Sequence, residues 1–319
     1  MQQAVSSHRT LSPCAARAQS VTCVINGSAR SHAASEARER VVELFRLHGR
    51  EVDVVLAENG SDIPGIVRRA ISEHCAVVVA AGGDGTVNAV ASVVMGSHAA
   101  LGVLPLGTLN HFAKDLGIPM DLEEAVETVI TGSTVNVDVG KVNGKIFLNN
   151  SSLGLYPAIV RQREGFQKKG HGKWWAFAVA TVQVLRRYQR LYVRWKVESQ
   201  PEVSEETPFV FIGNNQYEVC GLRIGERDCI NAGKLWVYRA PQANRSSLLR
   251  LAIDALRGKL DTRELAAFAT DTFSIRTQKN HVHVATDGEV HTMQGTLQYS
   301  IVPKVLSVIV PQTRVSKPG

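Results

Sequence analysis

The chain has 319 residues, 44% hydrophobic and 20% charged, a composition that excludes a disordered chain and suits two folded domains. Its 36 basic and 29 acidic residues leave a formal net charge of +7, which favours anionic partners and says nothing about fold. No apolar run of about 18 residues occurs, so no helical membrane span is expected. Five scattered cysteines without a CxxC pair give no zinc or redox framework and read as reduced thiols.

Residues 1–20 are small and polar with two arginines. They lack the apolar stretch of a secretory signal and read as a mobile tail, as do residues 312–319. A short β-branched run at 21–25 ends at Asn26-Gly27, and an amphipathic helix follows at 33–48 with Val41, Val42, Leu44 and Phe45 on its apolar face. Then come a strand at 51–56, a helix at 63–72 and a strand at 76–81. That last strand has no polar residue, as expected of a parallel strand covered on both faces. A helix at 87–95, a strand at 100–104 and a helix at 122–130 complete the alternation. The pattern implies βαβ units and an α/β domain with an open, mostly parallel sheet over residues 21–138.

Beyond that point the pattern changes. Residues 139–148, 191–197, 209–212, 234–238, 272–277, 281–285 and 305–310 read as strands, with helices only at 174–188 and 246–256. A run of strands implies a β-rich, mainly antiparallel second domain over 139–311. The polar stretch 198–208 reads as a surface loop.

The most informative segment is Ala80-Ala81-Gly82-Gly83-Asp84-Gly85-Thr86-Val87-Asn88. It lies where a buried strand turns into a helix, the end of the strand at which open α/β sheets bind ligands. Glycines permit positive φ and close backbone approach, and a helix start offers free N–H groups, so the turn suits a polyphosphate. A P-loop would need GxxxxGK followed by Ser or Thr, which is absent. The dinucleotide fingerprint wants glycine where Asn88 stands. Asp84 would repel phosphates unless a magnesium ion lay between them, and phosphoryl transfer uses such an ion. Asp84 is therefore a candidate magnesium contact, through water or phosphate.

GGDGTVN at 82–88, followed by PLGTLNHFA at 105–113, FLNNSSLG at 147–154 and Asp287-Gly288-Glu289, resembles the diacylglycerol kinase catalytic family, which includes sphingosine kinases and bacterial lipid kinases. The likeness runs from about residue 21 to 311. It implies a two-domain, NAD-kinase-like fold and ATP-dependent transfer of a phosphoryl group to a lipid hydroxyl, with diacylglycerol or a related lipid alcohol as acceptor and ATP and Mg2+ as cofactors. It also implies that Gly82, Gly83, Asp84, Gly85, Thr86, Val87 and Asn88 cradle the ATP phosphates, with Asn26, Gly107, Thr108 and Asn110 lining the same cleft. Asn26 is otherwise a strand-ending turn residue, and Asn110 a helix cap. By the same resemblance Asp287 is the general base, and Glu289 orients the site or binds metal. NAD kinase shares the glycine loop and stays open as an alternative, as does a non-catalytic lipid or nucleotide sensor.

Relatives carry an acid that helps hold a structural magnesium in the second domain, where Ala232 stands here, and often Asp where this chain has His111. His281 and His283 share one side of a strand but lack a third ligand, and read as surface histidines. The basic segment 161–196, with Trp174, Trp175, Phe177 and Tyr188, suits either a membrane interface or packing within its own domain. A cytoplasmic protein, peripheral at the inner membrane face, is expected, with no nucleic-acid partner. Nothing in the sequence decides between a monomer and a homo-oligomer.

Overall fold

The computed structural model describes residues 20–27, 31–154, 191–198, 200–217, 219–220, 223–224, 229–239 and 266–312. The helices expected at 174–188 and 246–256, and residues 161–190 of the basic aromatic segment, lie outside the described residues.

The first half alternates as β1 (Val21–Asn26), α1 (Ser31–Leu47), β2 (Asp53–Ala57), α2 (Ile63–Ser72), β3 (Val77–Gly82), α3 (Asp84–Val94), β4 (Ala100–Pro105), α4 (His111–Asp115) and α5 (Leu122–Thr131). The strands pair in parallel in the order β2-β1-β3-β4. Helix α1 buries Val41, Leu44 and Phe45, but Val42 is 42% exposed. One residue on from Val41 is a turn of about 100° around a helix, which takes Val42 off the apolar face. Helix α5 starts where the Asp121 carboxylate accepts the N–H groups of Glu123 and Glu124, satisfying two of the amides a helix start leaves unbonded.

The second half is β5 (Ser133–Val142), β6 (Lys145–Phe147), β7 (Asn150–Gly154), β8 (Leu191–Lys196), β9 (Val203–Thr207), β10 (Phe209–Asn214), β11 (Val219–Cys220), β12 (Arg223–Ile224), β13 (Leu235–Arg239), β14 (Ala266–Thr270), β15 (Thr272–Thr277), β16 (His281–Thr286), β17 (Glu289–Gln294) and β18 (Leu297–Val310). Two of these overturn the reading of the sequence. The expected loop at 198–208 contains β9, which pairs antiparallel with β8. It is the last strand on that side of its sheet and its Val203 is 51% exposed; an edge strand facing water carries polar residues and looks like a loop. The single strand expected at 139–148 is a hairpin, β5 and β6, turning at Asn143-Gly144 with φ of 46° and 82°. Positive φ at both central residues suits the Asn-Gly turn of a tight hairpin.

Six antiparallel strands, β14-β13-β10-β7-β16-β17, form one sheet. Its inner face, with Leu153, Val210, Ile212, Leu235, Val237 and Val284, packs on Val193, Trp195, Phe273, Ile275, Leu297 and Tyr299 of β8, β15 and β18. This is a sandwich core of interdigitating inner faces. Phe273 and Tyr299 stack at 4.9 Å, and the buried Tyr299 hydroxyl meets Ser151 Oγ at 3.1 Å.

Strand β18 joins the two halves. Its first part pairs with β15, and β5 runs antiparallel along it on both sides of a bulge between Val302 and Leu306. Val308 then pairs in parallel with Leu101 of β4. Leu306, Val308, Ile309 and Val310 are buried in the α/β core. The fold is thus an α/β unit with a mostly parallel sheet, continuous with a β-sandwich.

Candidate active site

The cleft begins at the carboxyl end of β3. Five of its six residues are buried, and α3 follows after one residue, with Gly83 at its N-cap. The helix starts at Asp84, three residues before the position expected from the sequence. Its first internal hydrogen bond runs from Val87 N–H to Gly83 O, so the amides of Asp84, Gly85 and Thr86 precede the helical ladder and suit an anion. The Val87 side chain itself lies in the core.

Gly82, Gly83 and Gly85 do not have positive φ, contrary to expectation; what each needs is space. A Cβ on Gly83 would lie 3.3 Å from Gly107 Cα, and one on Gly107 would lie 2.6 Å from Asn110 Oδ1. The two glycine turns are in backbone contact, and Leu106 N–H donates to Gly82 O at 3.1 Å. A Cβ on Gly85 would meet Glu289 Oε1 at 2.7 Å. Asn26 reaches the turn through its amide, which donates to Thr86 Oγ1 at 3.5 Å.

Asn110 is buried in the left-handed region with φ 51°. It makes no side-chain cap bond to α4; its amide instead donates to Pro105 O at 3.1 Å and Gly107 O at 3.0 Å. It therefore fixes the 105–110 turn, on which Thr108 is exposed. Asp84 Oδ1 accepts Phe112 N–H at 3.2 Å, so this carboxylate also steadies the start of α4.

The second wall comes from the sandwich. Asp287 sits in the β16–β17 turn at φ 47°. Its Oδ2 accepts Leu148 N–H and the Asn88 amide, both at 2.7 Å. Its Oδ1 accepts Asn149 N–H at 2.8 Å and Asn150 N–H at 3.1 Å. Burial pushes the Asp287 carboxyl above the usual carboxylate range, while the three backbone N–H groups and the Asn88 amide pull it down. A carboxylate offers about four lone-pair sites, and here four donors occupy them. Two residues on, Glu289 is exposed on the cleft wall beside Gly85, and His291 Nε2 lies 3.9 Å from its Oε2.

A cleft of about 700 Å³ is lined by Asn26, Gly83, Gly85, Thr86, Asn88 and Glu289, and also by Pro64, Lys141 and Lys145. The glycine turn, Asn26 and Glu289 thus share one cleft, with Gly107 and Asn110 bracing it from behind. Asp287 joins it only through Asn88. Lys141 and Lys145 were missed in the sequence because the hairpin that presents them read as one strand; the Asn-Gly pair between them was the available signal.

Asp138 is buried, and both its oxygens face backbone amides: Gly233 N–H at 2.6 Å and Lys304 N–H at 2.8 Å. With N–H groups aimed at the carboxylate and Ala232 beside them, this joint does not fit a second-domain magnesium. Among the described residues no three His, Cys, Asp or Glu converge on a metal site. His283 and His281 bond across to Thr292 and Gln294, as surface histidines do. No helix among the described residues is long and apolar enough to cross a membrane.

An α/β nucleotide-type cleft closed by a β-sandwich is the architecture of two-domain diacylglycerol-kinase-like proteins. The model of the diacylglycerol kinase catalytic domain matches residues 20–142, and that of the YegS C-terminal NAD kinase beta sandwich-like domain matches residues 160–310. The chain is thus similar to the diacylglycerol kinase catalytic domain over its first half and to the YegS C-terminal domain over its second. It is 37% identical over 142 residues to a Klebsiella pneumoniae (strain 342) protein named "Probable lipid kinase YegS-like", a match covering 44% of this chain and 47% of that one. The match thus spans about half the length of that relative. A Mycobacterium tuberculosis (strain ATCC 25618 / H37Rv) protein named diacylglycerol kinase is 24% identical over 299 residues, 92% of this chain and 95% of its own. A crystal structure of a diacylglycerol kinase from Bacillus anthracis str. Sterne superposes with a TM-score of 0.67 at 17% identity, covering 92% of this chain and 98% of that one, a likeness of fold.

Proposed function

We propose that this chain transfers the γ-phosphoryl group of ATP to the hydroxyl of a lipid alcohol, diacylglycerol or a relative of it. The observation that carries the reading is an exposed carboxylate, Glu289, set against Gly85 of the Gly83–Thr86 helix start on the lining of one cleft. The two domain matches and the relatives' names support the kinase class. The triphosphate would lie on the amides of Asp84, Gly85 and Thr86, with the nucleoside toward Asn26 and Pro64. Magnesium arriving with ATP would shield the phosphates from Asp84 and Glu289 and would be held largely by phosphate oxygens and water.

The base role moves from Asp287 to Glu289. Asp287 has its oxygens filled by N–H donors, whereas a general base needs a lone pair within reach of the acceptor hydroxyl. As Glu289 takes the hydroxyl proton, the lipid oxygen bonds to the γ-phosphorus. The bond from that phosphorus to the bridging oxygen breaks, and ADP leaves with the electron pair. Asp287 keeps the turn that carries Glu289 in place.

The test is phosphate transfer from labelled ATP to a panel of lipid alcohols in mixed micelles, with NAD as a parallel acceptor. Transfer to a lipid, lost in Glu289→Gln with ATP binding retained, is expected. Transfer to NAD alone would replace the reading, and ATP binding without transfer to any acceptor would leave a sensor.

A further inference from the structure

The cleft as built from its glycine turn offers the nucleotide backbone amides and one carboxylate, Glu289, while Asp84 is turned to the start of α4. Phosphoryl transfer spreads negative charge over the moving group, and enzymes answer it with side-chain cations as well as metal. The two described lysines on the cleft wall, Lys141 and Lys145, are both on the β5–β6 hairpin. Pairing Lys141 with Ile146 and Val142 with Lys145 puts the lysines on opposite faces of the hairpin, since directly paired residues share a face. Lys141 shares the face of Ile146, whose carbonyl lies 3.5 Å from the Asn88 amide of α3. Lys145 is on the other face, close enough to His291, the neighbour of Glu289, to help hold its imidazole below its ordinary pKa.

The hairpin tip is fixed rather than loose. Asn143 donates its N–H to Gln298 O at 3.0 Å and accepts Gln298 N–H on its side chain at 2.8 Å. Among the described residues no ion pair engages either lysine. Two ammonium groups held on a braced turn, over a cleft whose opposite wall is a helix start, suit a polyphosphate.

We propose that Lys141 and Lys145 are the cationic contacts of the ATP phosphates, Lys141 from the α3 side and Lys145 beside Glu289 on the group being transferred. The inference rests on the phosphotransfer reading above. Its test is calorimetric titration of the full chain with ATP, ADP and AMP, together with kcat and KM for ATP, in Lys141→Gln, Lys145→Gln and the two Lys→Arg variants. Lys141→Gln should weaken ATP by about 10- to 100-fold, the range for a hydrogen bond to a charged group, while AMP binding stays within twofold. Lys145→Gln should lower kcat by a similar factor with a smaller change in KM. Arginine should restore most of each loss, and the thermal midpoint should not move, which a structural role would not allow. An ATP-to-AMP preference unchanged in both Gln variants of an active protein overturns this inference and leaves the phosphotransfer reading standing. A wild-type chain that binds no ATP overturns both.

Discussion

The two walls of the cleft are made by different means. The α/β wall is main chain against main chain: Gly83 abuts Gly107, and Leu106 N–H bonds Gly82 O. The sandwich wall is made of charged side chains, Glu289, Lys141 and Lys145, carried on two tight turns. The first recognises a ligand mainly through backbone amides, and a Cβ added at Gly107 would clash with Gly83 Cα. The second can be altered residue by residue, and it holds its shape through the part-buried carboxylate of Asp287, whose oxygens are taken up by Asn88 and the 148–150 amides. Within the late Asp-Gly-Glu motif, Asp287 is bound up in the scaffold by four hydrogen bonds, and under the proposed reading the exposed Glu289 carries the chemistry.

The sharpest break of that contrast is Glu289→Gln, which should reduce turnover by about 10²- to 10⁴-fold, the range for a positioned general base, with ATP affinity within a few-fold. Single-turnover transfer measures it. Asp287→Ala should instead act on stability: four N–H donors lose their acceptor, costing about 3–5 kcal/mol in urea denaturation. If that variant loses turnover while keeping its full stability, the roles of the two acids are reversed. Gly107→Ala drives a methyl into Gly83 and Asn110 and should cost about 1–3 kcal/mol by overpacking, with ATP binding weakened in step. Tyr299→Phe, which removes only the bond to Ser151, should cost about 1 kcal/mol and leave kcat alone.

The smallest effect is a pH dependence. Burial, and then Lys145, lower the His291 pKa from its ordinary 6.5, with Glu289 partly offsetting them. A folded pKa below the unfolded one gives stability that is present above pH 6.5 and is lost as pH falls through the folded pKa. His291→Gln should therefore flatten the acid limb slightly, because the ring is part-exposed and solvent screens it. Denaturation midpoints at pH 5 and pH 7 for the two proteins measure it.

The α/β half was readable because its signals are local. An unbroken apolar strand before Gly82 and an amphipathic period in α1 need no partner to be seen. The sandwich half was less so. Strands β9, β14 and β17 are short, and β9 and β17 are polar edge strands, so no local pattern separates them from loops. The Asn143-Gly144 turn was passed over inside a long β-prone run, and the lysines beside it went unnoticed. The candidate site divided in the same way: the glycine turn was legible, but the choice between Asp287 and Glu289 depended on amides at 148–150, distant in sequence. No spacing rule reports which carboxylate those amides will claim.

Strand β18 has a consequence for how the protein is made. Val308 beside Leu101 and Ile309 and Val310 in the α/β core mean that the parallel sheet lacks a neighbour of β4 until residues about 200 positions further along the chain have been made. During synthesis the α/β half waits, with β4 uncovered on one edge, while the sandwich emerges. Non-local pairing of this kind slows folding and exposes sheet edges to aggregation, so the two halves mature together rather than one after the other.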